Sequence, residues 1–149
     1  MKVIIQRVIR GSVTIDDSVK GSIAKGYVVL LGVKHGDTED NARELARKTV
    51  NLRVFSDAND KMNLSIMDIN GEILVISQFT LYADTKKGNR PSFINAAPPD
   101  LAENLYNVYV TALKRELGET RVATGTFRAS MTVEIINDGP VTVELNTDS

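Results

Sequence analysis

Tyr27-Val28-Val29-Leu30-Leu31-Gly32-Val33 decides the fold class: it is nearly all apolar and rich in β-branched side chains. A strand with one wet face alternates apolar and polar residues. This run does not, so it reads as a central strand buried on both faces. Such a strand needs a partner on each edge and a layer over each face, and the rest of the chain supplies both. Upstream, residues 3–8 and 12–15 read as strand, interrupted by Gly11, and Asp16-Asp17 turns the chain into a returning strand over residues 18–24. Lys25-Gly26 is a second turn, opening onto the central run, and residues 34–37 are a polar loop beyond it. Thr38 caps a helix whose first turn holds Glu39 and Asp40, well placed against the positive helix end. Ala42, Leu45, Ala46 and Thr49 then fall on one face at helical spacing. Residues 52–55 read as a short strand and 57–65 as polar and irregular. Asn70-Gly71 reads as a hairpin turn into Glu72-Ile73-Leu74-Val75-Ile76-Ser77-Gln78-Phe79. Pro99 suits the first turn of a second helix, along which Leu101, Leu105, Val108, Tyr109 and Leu113 make an apolar stripe that Gly118 can end. Residues 121–124, 131–136 and 141–145 read as closing strands. The expectation is a single α+β domain over residues 1–149, a mostly antiparallel sheet with two main helices.

Composition removes several chemistries. A chain of 149 residues, 42% apolar and 25% charged, can bury a core without metal or disulfide staples. It has no cysteine, which excludes disulfides, thiolate metal sites and a cysteine nucleophile. Its single histidine, His35, rules out a multi-histidine metal site and would have to serve in any Ser-His-Asp triad; in a polar loop beside Gly36 it reads as a solvated surface residue. No metal and no cofactor are expected. The formal net charge of −1, from 18 basic and 19 acidic residues, makes the whole molecule no strong attractor of polyanions, so any nucleic-acid binding must come from local patches or from shape. The apolar run near Met1 is too short for a signal peptide, and no run reaches the roughly 18 apolar residues that a membrane helix needs. The expected location is the cytoplasm, away from membranes.

Two stretches carry candidate chemistry. Ser77-Gln78-Phe79-Thr80-Leu81 closes an apolar strand with polar residues. In the plain reading these are strand-end side chains bonding to nearby backbone. Alternation would put Ser77 and Phe79 on one face, and Gln78 and Thr80 on the other, where a hydroxyl beside an amide can bind a polar ligand edge. Thr80 as a covalent nucleophile lacks a base in the local sequence. Asn137-Asp138-Gly139-Pro140-Val141-Thr142 sets a Gly-Pro pair between two strand-like runs, which removes a ladder donor and frees a backbone torsion. Its plain reading is a hairpin turn with a trans bond, since only about 5–6% of X-Pro bonds in folded proteins are cis. Arg7, a charge on a strand, must snorkel, pair or bind something. Lys86, Lys87 and Arg90 lie in a long segment, residues 83–99, without clear periodicity. They read as solvated charges or as a phosphate-contacting cluster. Phe93, beside Pro91, reads as a loop anchor.

The two motifs together resemble those of the D-aminoacyl-tRNA deacylases, and the resemblance runs from Ile4, Gln6, Arg7 and Val8 through Arg90-Pro91-Ser92-Phe93 to Val141-Thr142. It implies a barrel-like sheet and hydrolysis of the ester joining a D-amino acid, or glycine mischarged on tRNA-Ala, to the terminal adenosine of tRNA. It implies that Gln78, Phe79 and Thr80 form the catalytic segment, with backbone amides near Phe79 and Thr80 holding the carbonyl and the RNA's own 2′-hydroxyl assisting. It implies that Ser77 and Arg7 serve substrate binding, Arg7 by supporting the Gly-Pro element. It further implies a cis Gly139-Pro140 bond whose carbonyls enter the partner subunit's pocket as a chirality filter, and hence a homodimer with its site at the interface. Lys86, Lys87 and Arg90 would meet the tRNA. Two rivals belong to other classes: a non-catalytic nucleic-acid-binding module using the 86–90 loop, and a serine or threonine esterase acting on small-molecule esters through Ser77 or Thr80.

Overall fold

The computed structural model describes residues 1–148. Eight strands, β1 (Lys2–Ile15), β2 (Ser18–Ile23), β3 (Gly26–Gly32), β4 (Phe55–Ser56), β5 (Met62–Leu64), β6 (Glu72–Ser77), β7 (Val122–Thr124) and β8 (Thr132–Asn146), accompany two helices, α1 (Glu39–Asn51) and α2 (Pro99–Leu117). The apolar run opening at Tyr27 is central, as its composition demands. β3 pairs antiparallel with the first half of β1 and parallel with β6, which in turn pairs parallel with β7. β2 pairs with the second half of β1, and β8 follows the opposite edge of β1 along nearly its whole length. The sheet curls until its ends approach: a Cβ on Gly21 of β2 would lie 3.0 Å from the Thr124 carbonyl of β7. The result is a nearly closed barrel.

The two faces of β3 enter two cores. Tyr27, Val29 and Leu31 face the helices, among Leu45, Phe55, Leu105, Tyr109 and Leu113. Val28 faces the barrel interior with Val8, Val13, Ile23, Leu74 and Ile76. Fully burying each such side chain stabilises the fold by about 1.5–3 kcal/mol, which is why a run without alternation settles at the centre. The helices pack on each other through the buried Thr49 and Tyr109 hydroxyls, 2.8 Å apart. Thr38 caps α1 in a reciprocal box with Asn41, and Gly118 ends α2 at φ 96°.

Several sequence readings change. Gly11 does not interrupt a strand: β1 is continuous through it, and the missing side chain admits Val28 Cγ2, which would lie 2.7 Å from a Cβ there. Asn70 takes a left-handed φ of 54°, but Asn70-Gly71 closes no hairpin, because the strand it opens pairs in parallel with β3 and β7. The turn chemistry fixed only the local bend, while burial of Ile73 to Ile76 drew the strand into the middle of the sheet. The short strand expected over 52–55 is reduced to Phe55–Ser56, and its partner Met62–Leu64 lies within the stretch expected to be irregular. The closing strands of 131–136 and 141–145 are one strand, β8. Gly139-Pro140 is accordingly no hairpin turn: Gln6 faces Thr142 and Val8 faces Asn137, so the intervening residues bulge out of a ladder that continues on both sides.

Candidate active site

β6 ends at Ser77, and the chain turns out of the sheet at once. The Gln78 N–H donates to the Leu31 carbonyl at 2.8 Å, and residues 79–82 then form one short 3-10 turn, closed by the Leu81 N–H on the Gln78 carbonyl at 3.2 Å. The expected alternation of Ser77 with Phe79 therefore stops where the strand stops. A helical turn leaves its first amides without an intrahelical acceptor, and no side chain caps this one, so the Phe79 and Thr80 N–H groups stand at the exposed start of the turn. Tyr82 anchors the turn from below. It is buried, Lys2 Nζ lies 4.9 Å over its ring, and burial pushes its phenol well above the ordinary value. Phe79 is 55% exposed and meets Phe93 edge to face at 5.0 Å. Phe93 is thus part of the site's rim rather than a core anchor. Gln78 Nε2 donates to Thr80 Oγ1. An amide is no base, and no His, Lys or carboxylate bonds to Thr80 among the described residues, so a covalent threonine mechanism has no visible activator.

Beside this turn lies a cleft of about 580 Å³, walled by Ser77, Gln78, Phe79, Phe93, Phe127 and Met131 among others. The sequence reading missed its far wall. Phe127 and Arg128 lie between the strands expected over 121–124 and 131–136, and Met131 opens the second of these; only folding sets all three beside Ser77 in one cleft. Arg128 takes a left-handed φ of 68°, which its residue type does not announce.

The second motif is built around Arg7. Its side chain is 11% exposed; Nη1 donates to the Val54 carbonyl at 2.6 Å and Nε to the Asp138 carbonyl at 3.1 Å, with Asp138 Oδ2 at 3.5 Å. This settles how the chain tolerates a charge on a strand: the guanidinium is spent on two carbonyls and one carboxylate. Gly139 sits at φ 120°, and a Cβ on it would approach Arg7 Nη2 to 2.9 Å. The Gly139-Pro140 peptide is cis, as the resemblance implies and against the plain reading, and both residues are exposed.

One chain does not bring the two motifs together. Arg7 pairs with Tyr27, and Tyr27 with Ile73, whereas Ser77 pairs with Leu31. The motifs thus lie at opposite ends of β3, about 13 Å apart along the strand direction alone. Lys86, Lys87 and Arg90 are exposed on the loop between Tyr82 and α2, which is held by the Asp84–Ser92 bridge. His35 is exposed, as expected. Among the described residues no three His, Cys, Asp or Glu side chains converge to hold a metal ion, and no helix is long and apolar enough to cross a membrane.

Comparison with known proteins gives this geometry its relatives. The family model described as D-Tyr-tRNA(Tyr) deacylase matches residues 4–146. The D-aminoacyl-tRNA deacylase of Flavobacterium psychrophilum is 52% identical over 147 residues, 99% of this chain and 97% of its own length. That of Clostridioides difficile is 53% identical over the same shares of both chains. Among solved structures, a c-Myc DNA unwinding element binding protein is 42% identical and superposes over 100% of both chains with a TM-score of 0.95. A probable eukaryotic D-amino acid tRNA deacylase, 16% identical, shares the fold over 97% of this chain and 98% of its own at a TM-score of 0.83. A family model matched over nearly the full length, with relatives sharing half of all residues, places this chain in the D-Tyr-tRNA(Tyr) deacylase family.

Proposed function

We propose that this chain hydrolyses the ester bond of D-aminoacyl-tRNA, releasing the D-amino acid and the tRNA, as a chiral proofreader in translation. The observation that carries the reading is the identity of more than half of its residues, over 99% of its length, with D-aminoacyl-tRNA deacylases. The residue inventory agrees with it. The ester is activated, so positioning and stabilisation of the developing oxyanion suffice without a covalent intermediate. The free amides at Phe79 and Thr80 are the donors for that oxyanion, and the substrate's 2′-hydroxyl assists water. The cleft beside them, apolar with aromatic walls, accepts the terminal nucleoside.

Selection against L-amino acids rests on exclusion by Gly139 and Pro140, whose exposed bulge Arg7 holds rigid. Their remoteness from Thr80 within one chain supports a homodimer in which each subunit's bulge caps the other's cleft; a two-fold interface completes both sites at once. Lys86, Lys87 and Arg90 extend the surface toward the tRNA body, glycyl-tRNA is a second substrate because glycine offers nothing to exclude, and the enzyme works in the cytoplasm without a cofactor. The test is incubation with D-Tyr-tRNA and L-Tyr-tRNA side by side. Release from the D form alone supports the reading, and equal rates on both sink it. One observation favours a second reading, in which the fold binds nucleic acid without chemistry: the solved relative with the TM-score of 0.95 is titled a DNA unwinding element binding protein. That reading predicts DNA binding with no release of amino acid from either substrate.

A further inference from the structure

Among the described residues Arg128 is the one charged side chain lining the cleft; the other walls are apolar, aromatic or neutral. It is exposed, and no ion pair to it is formed among the described residues. Its placement is built rather than incidental. The Ala129 N–H closes a tight turn on the Thr126 carbonyl at 3.2 Å, with Phe127 and Arg128 as the central pair. Phe127 plugs inward against Tyr106, ring centres 6.1 Å apart. Arg128 then takes the third turn position at φ 68°, where glycine is the favoured residue. A long, unpaired cation thus occupies a strained position at the mouth of a cleft that otherwise offers only stacking and neutral polar contacts.

A ligand matching that layout has a flat, neutral body and one anionic group at its exit. We propose that Arg128 is a positioning residue that binds the phosphodiester on the 5′ side of the substrate's terminal nucleoside, gripping the RNA where it leaves the cleft. The proposal rests on the deacylase reading and adds to it a residue that sets affinity for the RNA end rather than the chemistry. A guanidinium suits a phosphate better than an ammonium does, because its planar fork gives two parallel bonds.

Two substrates separate the possibilities: D-tyrosyl-tRNA, and D-tyrosyl-adenosine, which carries the same ester and no phosphate. Arg128→Gln should raise KM for the tRNA by roughly tenfold, the scale of one charge-assisted contact, and leave kcat unchanged. It should not alter hydrolysis of D-tyrosyl-adenosine, and the salt dependence of log KM should flatten by about 0.7, one phosphate's share for single-stranded RNA. Arg128→Gly, which suits the left-handed turn, should show the same KM effect with an unfolding temperature no lower than the parent's, so that misfolding does not account for the loss. An equal loss on both substrates, a fall in kcat alone, or an unchanged KM for the tRNA would overturn the assignment. If the parent protein releases tyrosine from neither substrate, the deacylase reading itself fails, which is a different result.

Discussion

Gly139→Ala probes the point where fold and selectivity meet. Gly139 has a φ of 120°, a backbone region in which a side chain crowds its own chain. Holding alanine there costs about 1–3 kcal/mol. The new Cβ would also stand 2.9 Å from Arg7 Nη2, so the guanidinium must move. It is not free to do so cheaply, because Nη1 is held by the Val54 carbonyl at 2.6 Å and Nε by the Asp138 carbonyl at 3.1 Å, with the side chain only 11% exposed. Weakening one hydrogen bond of a charged group costs about 1.5–3 kcal/mol. The total is roughly 2.5–6 kcal/mol, or a fall in Tm of about 8–20 °C for a chain of this size. Urea unfolding should show a lower midpoint at constant slope, and D-Tyr-tRNA turnover should fall with it, because the bulge proposed to carry selectivity has shifted. The double variant Arg7→Met/Gly139→Ala isolates the clash. With the guanidinium already gone, alanine should cost at least about 1 kcal/mol less than it does in the parent. Strict additivity of the two changes, or an unchanged Tm in Gly139→Ala, would refute the reasoning.

Thr80→Ala should keep substantial deacylase activity, since among the described residues only Gln78 bonds to the hydroxyl; a loss of ~10⁶-fold with folding intact would instead mark Thr80 as a covalent nucleophile. Substrate with a terminal 2′-deoxyadenosine should be hydrolysed more slowly than Thr80→Ala hydrolyses the natural one. Gly11→Ala should destabilise by about 1–3 kcal/mol through overpacking against Val28 Cγ2, 2.7 Å from the added carbon, and a urea midpoint equal to the parent's would contradict that contact. Alkaline pH should unfold the protein: burial pushes Tyr106 from 10.0 up to about 12, and Tyr27, Tyr82 and Tyr109 move the same way. Their stabilising effect is complete below pH 10 and is lost as pH rises toward 12, so a urea midpoint that holds steady across that window would count against it.

What could be read in advance follows the range of the forces involved. The burial of Tyr27 to Leu31 on both faces was legible because a short apolar run without alternation, rich in valine and opened by the Lys25-Gly26 turn, favours a strand covered on both sides. The cap at Thr38 and the end at Gly118 were legible because both act within one turn of chain. Asn70-Gly71 misled for the same reason: it dictates a local bend and says nothing about which strand the next one joins. Parallel pairing of β3 with β6 depends on a crossover of some forty residues, from Gly32 to Glu72, whose path is set by how α1 packs and not by any short motif. Gly139-Pro140 was misread as a hairpin because a proline between two apolar runs ordinarily ends pairing, whereas here β1 is long enough to pair on both sides of the bulge.

The same distinction explains why motif and site are different things in this molecule. Ser77 to Thr80 and Gly139-Pro140 are each recognisable from a few adjacent residues, yet register alone puts them at opposite ends of β3. A single chain therefore holds the cleft at one end of β3 and the Gly139-Pro140 bulge at the other. The bulge is exposed, held through Arg7 and set outside the ladder of its own sheet. In the proposed homodimer a two-fold axis would bring each subunit's bulge to the other's cleft, since the surface that offers the bulge would then be the surface that receives one. Arg128 fits the same division of labour. In the proposed dimer it would stand at the mouth of the cleft, so that grip on the RNA end and exclusion of L-amino acids would fall to different chains.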